Sequence, residues 1–337
     1  MLLSRYPRVA LAHLPTPLEL LPRLTDHLGG PQIYVKRDDC TGLGTGGNKT
    51  RKLEFLMGAA LAEGADTVIT QGAVQSNHAR QTAAAAAKLG LRCELIFEKR
   101  VEKASAPYLS SGNVLLDRLL DARIREVPKG SDMDAALGAV AGELRRQGRK
   151  PYVIPGGGSN PVGALGYVDC AQELVEQANR QGLVIDHVVH ATGSAGTQAG
   201  LLVGLRANNC SMAVTGIGVN VDRQTQEQRV FALAERTAAF TGAAGVVERN
   251  DVVCNCDYVG PGYGIPTEAM NDALLLLARL EGLLFDPVYS GKALAGMIDL
   301  IGKRHFAATD TIVFIHTGGV AGLFGYVDRL RFDATAV

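Results

Sequence analysis

The chain has 337 residues, enough for two domains or one large α/β unit with a subdomain, and its 47% apolar and 20% charged content is that of an ordinary globular protein. Lysine plus arginine and aspartate plus glutamate each number 34, so the net charge is zero, which gives no support for nucleic acid or an anionic membrane as partner. Met1–Pro7 lacks the apolar core of a signal peptide, and the most apolar stretch, 273–285, is broken by Arg279 and Glu281, so the expectation is a cytoplasmic protein with no membrane span. Six scattered cysteines read mostly as small core residues; Cys254 and Cys256 lack the second pair a zinc site needs, and no metal is expected.

In chain order, the proline-rich first thirty residues predict an extended lead-in with one short helix near 18–28. From Ile33 on, strand and helix alternate. Strands are predicted at 33–37, 67–70, 93–97, 123–127, 151–154, 187–192, 214–219, 252–254 and 312–316. Helices are predicted near 50–64, 78–89, 112–120, 133–148, 163–181, 197–207, 223–240, 267–282 and 291–303. Strands separated by helices of this length mean βαβ units and a mostly parallel sheet. Ligands of such sheets bind beyond the carboxyl ends of the strands. Polar, Gly-rich loops stand there after several strands: 70–78, 155–161, 192–197 and 317–319.

The segment 38–54 organises the rest. Four glycines in the six positions 42–47 are followed by Asn48 and Lys49 at the mouth of a helix. Glycines so placed let backbone approach a ligand. A lysine there can be held as a neutral amine, with the helix end and neighbouring cations disfavouring its charge, as imine formation with an aldehyde requires. The segment is also a near miss to a P-loop, with one residue inserted before the lysine, so a nucleotide-binding module is the competing reading. The loop Thr192, Gly193, Ser194, Ala195, Gly196, Thr197 ends at a helix start, where free N–H groups and the dipole suit a phosphate. It is not a dinucleotide fingerprint. Ser76, with Asn77 and His78 behind it, opens another helix; it is an N-cap or a carboxylate-binding start. A phosphate cup, a reactive lysine and a carboxylate site together fit pyridoxal 5'-phosphate and an amino acid.

Residues 46–54, 75–78 and 286–289 carry a closer likeness, which runs from about residue 5 to 328. The chain resembles the fold-type II pyridoxal-phosphate enzymes that include 1-aminocyclopropane-1-carboxylate deaminase, D-cysteine desulfhydrase and L-cysteate sulfo-lyase. The resemblance implies two three-layer α/β units, each an open, mostly parallel twisted sheet with helices on both faces, as in the tryptophan synthase β chain. Residues 1–50 and 162–337 would form the larger, cofactor-binding domain, and 51–161 a smaller one closing over the site. It further implies a homodimer, covalent attachment of the cofactor to Lys49, and Lys52 as a neighbour. Asn77 would meet the phenolic oxygen, Ser76 the substrate carboxylate, and Gly193–Thr197 the phosphate. Tyr263 and Tyr289 would face the reacting carbons, Thr317 the pyridine nitrogen, and Gly157 and His78 would line the substrate space.

The ring-opening deaminase carries glutamate after the tyrosine of its Asp-Pro-Val-Tyr motif, where this chain has Ser290. A neutral hydroxyl at the pyridine nitrogen implies a weaker electron sink, which favours elimination of a good leaving group over ring opening. The expected reaction is α,β-elimination, with Lys49 taking the Cα proton and Tyr263 or Tyr289 assisting. Segments 41–47, 190–198 and 286–292 look closest to L-cysteate sulfo-lyase, which yields pyruvate, ammonia and sulfite. His78, Arg51 and the Gly-rich loop would then supply donors to the sulfonate. D-cysteine, yielding sulfide, is the alternative.

Overall fold

The computed structural model describes residues 1–102 and 104–332. Its strands are β1 (Leu18–Leu20), β2 (Gln32–Lys36), β3 (Thr67–Ala73), β4 (Arg92–Glu98), β5 (Arg123–Val127), β6 (Pro151–Val153), β7 (His187–Thr192), β8 (Ala213–Gly218), β9 (Val253–Asn255) and β10 (Thr311–Ile315). The helices are α1 (Pro22–Leu28), α2 (Lys49–Ala62), α3 (Asn77–Leu89), α4 (Ala106–Ser110), α5 (Asn113–Leu119) and α6 (Met133–Arg146), followed by α7 (Pro161–Gln181), α8 (Gly196–Ala207), α9 (Arg223–Thr241), α10 (Glu268–Glu281), α11 (Ser290–Gly302) and α12 (Val320–Gly325).

The strands assort into a six-stranded sheet, order β1-β2-β10-β7-β8-β9, and a four-stranded sheet, order β5-β4-β3-β6. Every pairing is parallel except β1 with β2. Strands buried on both faces need apolar side chains in both directions, which is why they read as apolar runs. On β10, Val313 and Ile315 face α7, α8 and α9, while Ile312 and Phe314 face α1, α10 and α11. On the smaller sheet, Val68, Leu95 and Phe97 pack against α2 and α3, and Ile69 and Ile96 pack against α6.

Helix α7 is the seam between the layers that carry the site. A methyl group built on Gly166 would overlap the backbone of Arg51 and Lys52 on α2, and one on Gly200 of α8 would overlap the Ala164 carbonyl on α7. Glycine is therefore required for α2, α7 and α8 to lie this close. The crossing is locked by a buried ion network. Arg51 donates to both oxygens of Asp38, each at 2.9 Å, and to Glu173, which also holds Lys36. Tyr167 donates to Asp38 at 2.7 Å.

Three elements depart from expectation. Residues 18–20 form an edge strand instead of helix, because Leu18–Leu20 pairs antiparallel with Tyr34–Lys36 and the helix starts only at Pro22, whose missing N–H suits a first-turn position. The short helices α4 and α12 were not anticipated; each is under two turns, too short for a periodic signal. The remaining predicted strands and helices are present, with ends shifted by no more than three residues.

Candidate active site

The carboxyl ends of β3, β6, β7 and β10 converge on one cleft of about 210 Å³, lined by Lys49, Ser76, Asn77, His78, Gly157, Thr192, Gly193, Ser194, Ala195, Thr197, Tyr263, Tyr289 and Thr317. A larger groove of about 1090 Å³ runs along α10 beside His27, Asp272 and Arg329. It holds none of the predicted site residues, which gather in the smaller cleft.

Lys49 is the first residue of α2 and its amine donates to Asn48 Oδ1 at 3.1 Å. Burial lowers its pKa from 10.5 to about 8, against an opposing pull from Asp286. Desolvation is the dominant cause. At pH 7 the shift raises the neutral fraction of the amine roughly 300-fold. Because only the neutral amine attacks an aldehyde, the rate at which apoprotein takes up pyridoxal phosphate should rise with pH and level off above about pH 8. Stopped-flow absorbance between pH 6.5 and 9.5 reads this; a rate still climbing tenfold per unit at pH 9.5 would contradict it.

The glycine loop ahead of Lys49 is closed on itself. Thr41 Oγ1 donates to the Gly47 carbonyl and accepts from the Gly47 amide, both at 2.8 Å, and Asn48 N donates to Thr317 O at 3.0 Å. Several of its polar groups are thus committed within the loop or to Thr317.

The 193–197 turn keeps free amides. The Ser194, Ala195 and Thr197 amides have no protein acceptor among the described residues. Gly196 N donates to Ser159 Oγ at 3.2 Å, and Ser159 donates to Ser194 Oγ at 2.9 Å. Asn48 Nδ2 donates to Thr197 Oγ1 at 3.3 Å. Lys52, anticipated only as a neighbour, lies beside this turn: its amine would be 2.9 Å from a methyl carbon on Gly196, and it donates to Gly157 O at 3.1 Å. Burial, and then Lys49, push its pKa well below the usual lysine value. Two neutral histidines lie within electrostatic reach of both lysines. His78 Nδ1 and His190 Nε2 are buried and unpartnered. Free amides at a helix start with two desolvated amines beside them suit an anion of more than one charge. The residues present fit pyridoxal phosphate.

Across the cleft, Ser76 is the N-cap of α3 and accepts from Ala79 N at 3.1 Å. Asn77 Oδ1 accepts from Asn113 Nδ2 at 2.9 Å, which turns the Asn77 amide nitrogen the other way. Thr70 Oγ1 donates to the Ile154 carbonyl at 2.9 Å, so it must accept from His78 Nε2–H at 2.8 Å, leaving Nδ1 a bare acceptor. Burial, with Lys49 and Lys52 adding to it, keeps His78 neutral.

Tyr263 and Tyr289 share a hydrogen bond of 2.7 Å between their hydroxyls, with rings edge to face at 5.8 Å. Burial raises both pKa values, so these hydroxyls stay protonated and act as donors, not as bases. Lys292 fixes the turn beneath Tyr263 by donating to the Val259 and Gly262 carbonyls at 2.7 and 3.0 Å.

Two expected positions fall elsewhere. Arg51 lies in the buried Asp38–Glu173 network and does not line the cleft; the cations that do, beyond Lys49, are Arg100 and Arg229. Ser290 is buried with its hydroxyl committed to Asp286, donating to Oδ1 at 2.6 Å and accepting from the Asp286 amide at 2.7 Å, and it does not line the cleft. Arg100 is not legible from the sequence because it sits in no loop rich in glycine.

Two α/β layers meeting at a cleft with a buried amine, a turn of free amides and a second helix start fit a pyridoxal-phosphate enzyme. The family model described as "Pyridoxal-phosphate dependent enzyme" matches residues 9–318, and the chain belongs to that family. The competing nucleotide-binding reading of the glycine loop is thereby set aside. Among curated relatives, D-cysteine desulfhydrase of Salmonella typhi is 49% identical over 324 residues, covering 96% of this chain and 97% of the relative, and the protein of the same name from Salmonella newport (strain SL254) matches to the same extent. Among solved structures, an ACC deaminase homologue superimposes with a TM-score of 0.87 at 40% identity, over 97% of this chain and 96% of that one. O-ureido-L-serine synthase shares the fold alone, with a TM-score of 0.67 at 18% identity over 96% of each chain. Among the described residues no helix is long and apolar enough to cross a membrane.

Proposed function

We propose that the chain is a carbon–sulfur lyase that converts D-cysteine and water to pyruvate, ammonia and hydrogen sulfide. The observation that carries this is the 49% identity, over nearly the whole chain, to proteins named D-cysteine desulfhydrase. The cleft supports the same reading. A neutral His78 with a bare Nδ1 can accept from a thiol or an ammonium group but offers nothing to the oxygens of a sulfonate. Arg51, the cation expected to meet a sulfonate, is engaged elsewhere.

When bound, pyridoxal phosphate would supply the electron sink that lets the Cα–H and Cβ–S bonds break. The turn at 193–197 and Lys52 would hold its phosphate, Lys49 its aldehyde, Asn77 its phenolic oxygen and Thr317 its ring. Ser76 and the free amides opening α3 hold the substrate carboxylate. The neutral Lys49 amine takes the Cα proton. The Tyr263–Tyr289 pair donates a hydrogen bond to the departing sulfur. Residues 51–161 close over the substrate, and the active unit is a homodimer.

The sulfonate reading retains one observation. Arg100 lines the cleft with its guanidinium carbon 5.1 Å above the Tyr263 ring, where it could meet an anionic β-substituent. A panel of D-cysteine, L-cysteine, L-cysteate and aminocyclopropane carboxylate, with pyruvate, sulfide and sulfite measured together, separates the two. D-cysteine should exceed L-cysteate in kcat/KM by at least about tenfold, a transition-state difference of about 1.4 kcal/mol. Sulfite from L-cysteate at the higher kcat/KM would reverse the assignment.

A further inference from the structure

Arg80, on α3, is wholly buried, yet among the described residues it makes no direct ion pair. Its Nη1 donates to the carbonyls of Gly44 and of Gly46, the latter at 2.8 Å, in the loop that delivers Lys49. Its Nε donates to Asn113 Oδ1 at 2.9 Å. Asp117, one turn along α5 and within electrostatic reach, has both oxygens buried without a hydrogen-bond partner, as is Arg80 Nη2. The guanidinium is therefore spent on two carbonyls and an amide, a use that fixes geometry more than it neutralises charge. Asn113 passes the constraint on. With its oxygen taken by Arg80, its Nδ2 must donate, and it donates to Asn77 Oδ1 at 2.9 Å and to Gln75 O at 3.3 Å. Its own amide is held by Gln75 Oε1 at 2.9 Å.

We propose that Arg80 and Asn113 are positioning residues that link the two sides of the cofactor site: one guanidinium clamps the Lys49 loop and, through Asn113, sets which end of the Asn77 amide faces the cleft. Polarity runs one way along this chain of bonds. Arg80 can only donate, so Asn113 turns its oxygen to Arg80 and its nitrogen to Asn77. Asn77 then turns its oxygen to Asn113 and its nitrogen to the cofactor. An Asn77 nitrogen facing an acidic phenol favours the anionic form of that phenol. The inference rests on Lys49 and Asn77 as the cofactor's contacts.

Asn113→Asp tests it with almost no change in shape. The carboxylate still accepts from Arg80 but can no longer donate to Asn77, whose amide flips and turns its oxygen to the cofactor. In the reconstituted enzyme the pH midpoint of the cofactor's visible absorbance should rise by one unit or more, and kcat should fall at least tenfold with a smaller change in KM. Arg80→Lys keeps a cation but loses the bond to Asn113. It should move the midpoint the same way by less, slow cofactor uptake at least tenfold, and speed hydrogen exchange at residues 42–48. The double variant should be no worse than the more severe single one, because both cut one path. An unchanged midpoint in Asn113→Asp overturns the proposal, as do additive effects in the double variant. Should Asn113→Asp fail to fold, an unchanged midpoint and uptake rate in Arg80→Lys overturns it equally. Borohydride reduction of the wild-type protein keeps the two ideas apart. If no cofactor is fixed to Lys49, the site assignment itself has failed; if it is fixed and the variants do not respond, only the positioning role has.

Discussion

Lys49→Ala should yield a folded protein that binds pyridoxal phosphate without fixing it covalently. Borohydride treatment of the wild-type protein followed by peptide mapping should place the reduced cofactor on Lys49, and in the variant on no peptide. Turnover should fall on the order of 10³-fold or more, since one amine serves as cofactor anchor and as base for the Cα proton. The fold itself gains nothing from this amine. It is desolvated, its pKa is lowered to about 8, and its recorded hydrogen bond is the 3.1 Å contact with Asn48. Alanine at the first turn of α2 should therefore melt no lower than wild type in the apo form. A variant that keeps its imine absorbance, with label on the peptide carrying Lys52, would move the attachment one turn along the helix.

Lys52→Met should separate holo from apo stability in opposite directions. The wild-type amine is buried beside Lys49 with one carbonyl for company, a poor environment for a charge until a dianion arrives. Methionine fills the same space without that penalty, so the apo form should melt higher. Cofactor affinity should fall by about 150-fold, which corresponds to about 3 kcal/mol for a buried charge-assisted hydrogen bond. A purely structural Lys52 would lower apo melting and leave the dissociation constant alone. That pattern would remove it from the phosphate site.

Most of the architecture is legible from local pattern. The strand at 312–315 is a continuous apolar run because both faces of its sheet are covered, and the intervening helices announce themselves by period. The first strand is not legible, since three residues with one buried side chain carry no alternation to count. At the site, Lys49, Ser76, Asn77 and the 193–197 turn stand out because each joins a strand end to a helix start. Lys52, His190, Arg80 and Asn113 do not. Arg80, Asn113 and Lys52 look like ordinary helix residues until folding brings partners from 33 or more positions away, as with Arg80 and Asn113, or Lys52 and Gly157, and His190, bonded to its neighbour Ala191, looks like an ordinary strand residue. Ser290 shows the converse. Its place in a motif suggested a cofactor contact, while its hydroxyl is committed four residues back to Asp286.

The glycine seam of α7 bears on how such an enzyme can change its chemistry over time. Because Gly166 and Gly200 leave no room for even a methyl group, the spacing between the lysine helix and the phosphate turn has no intermediate settings. Selection for a new leaving group would have to act on the rim, at Arg100, His78 or the Tyr263 turn. There a side chain can be exchanged without moving the seam, so descendants of this chain should share one cofactor geometry and differ in what they cut.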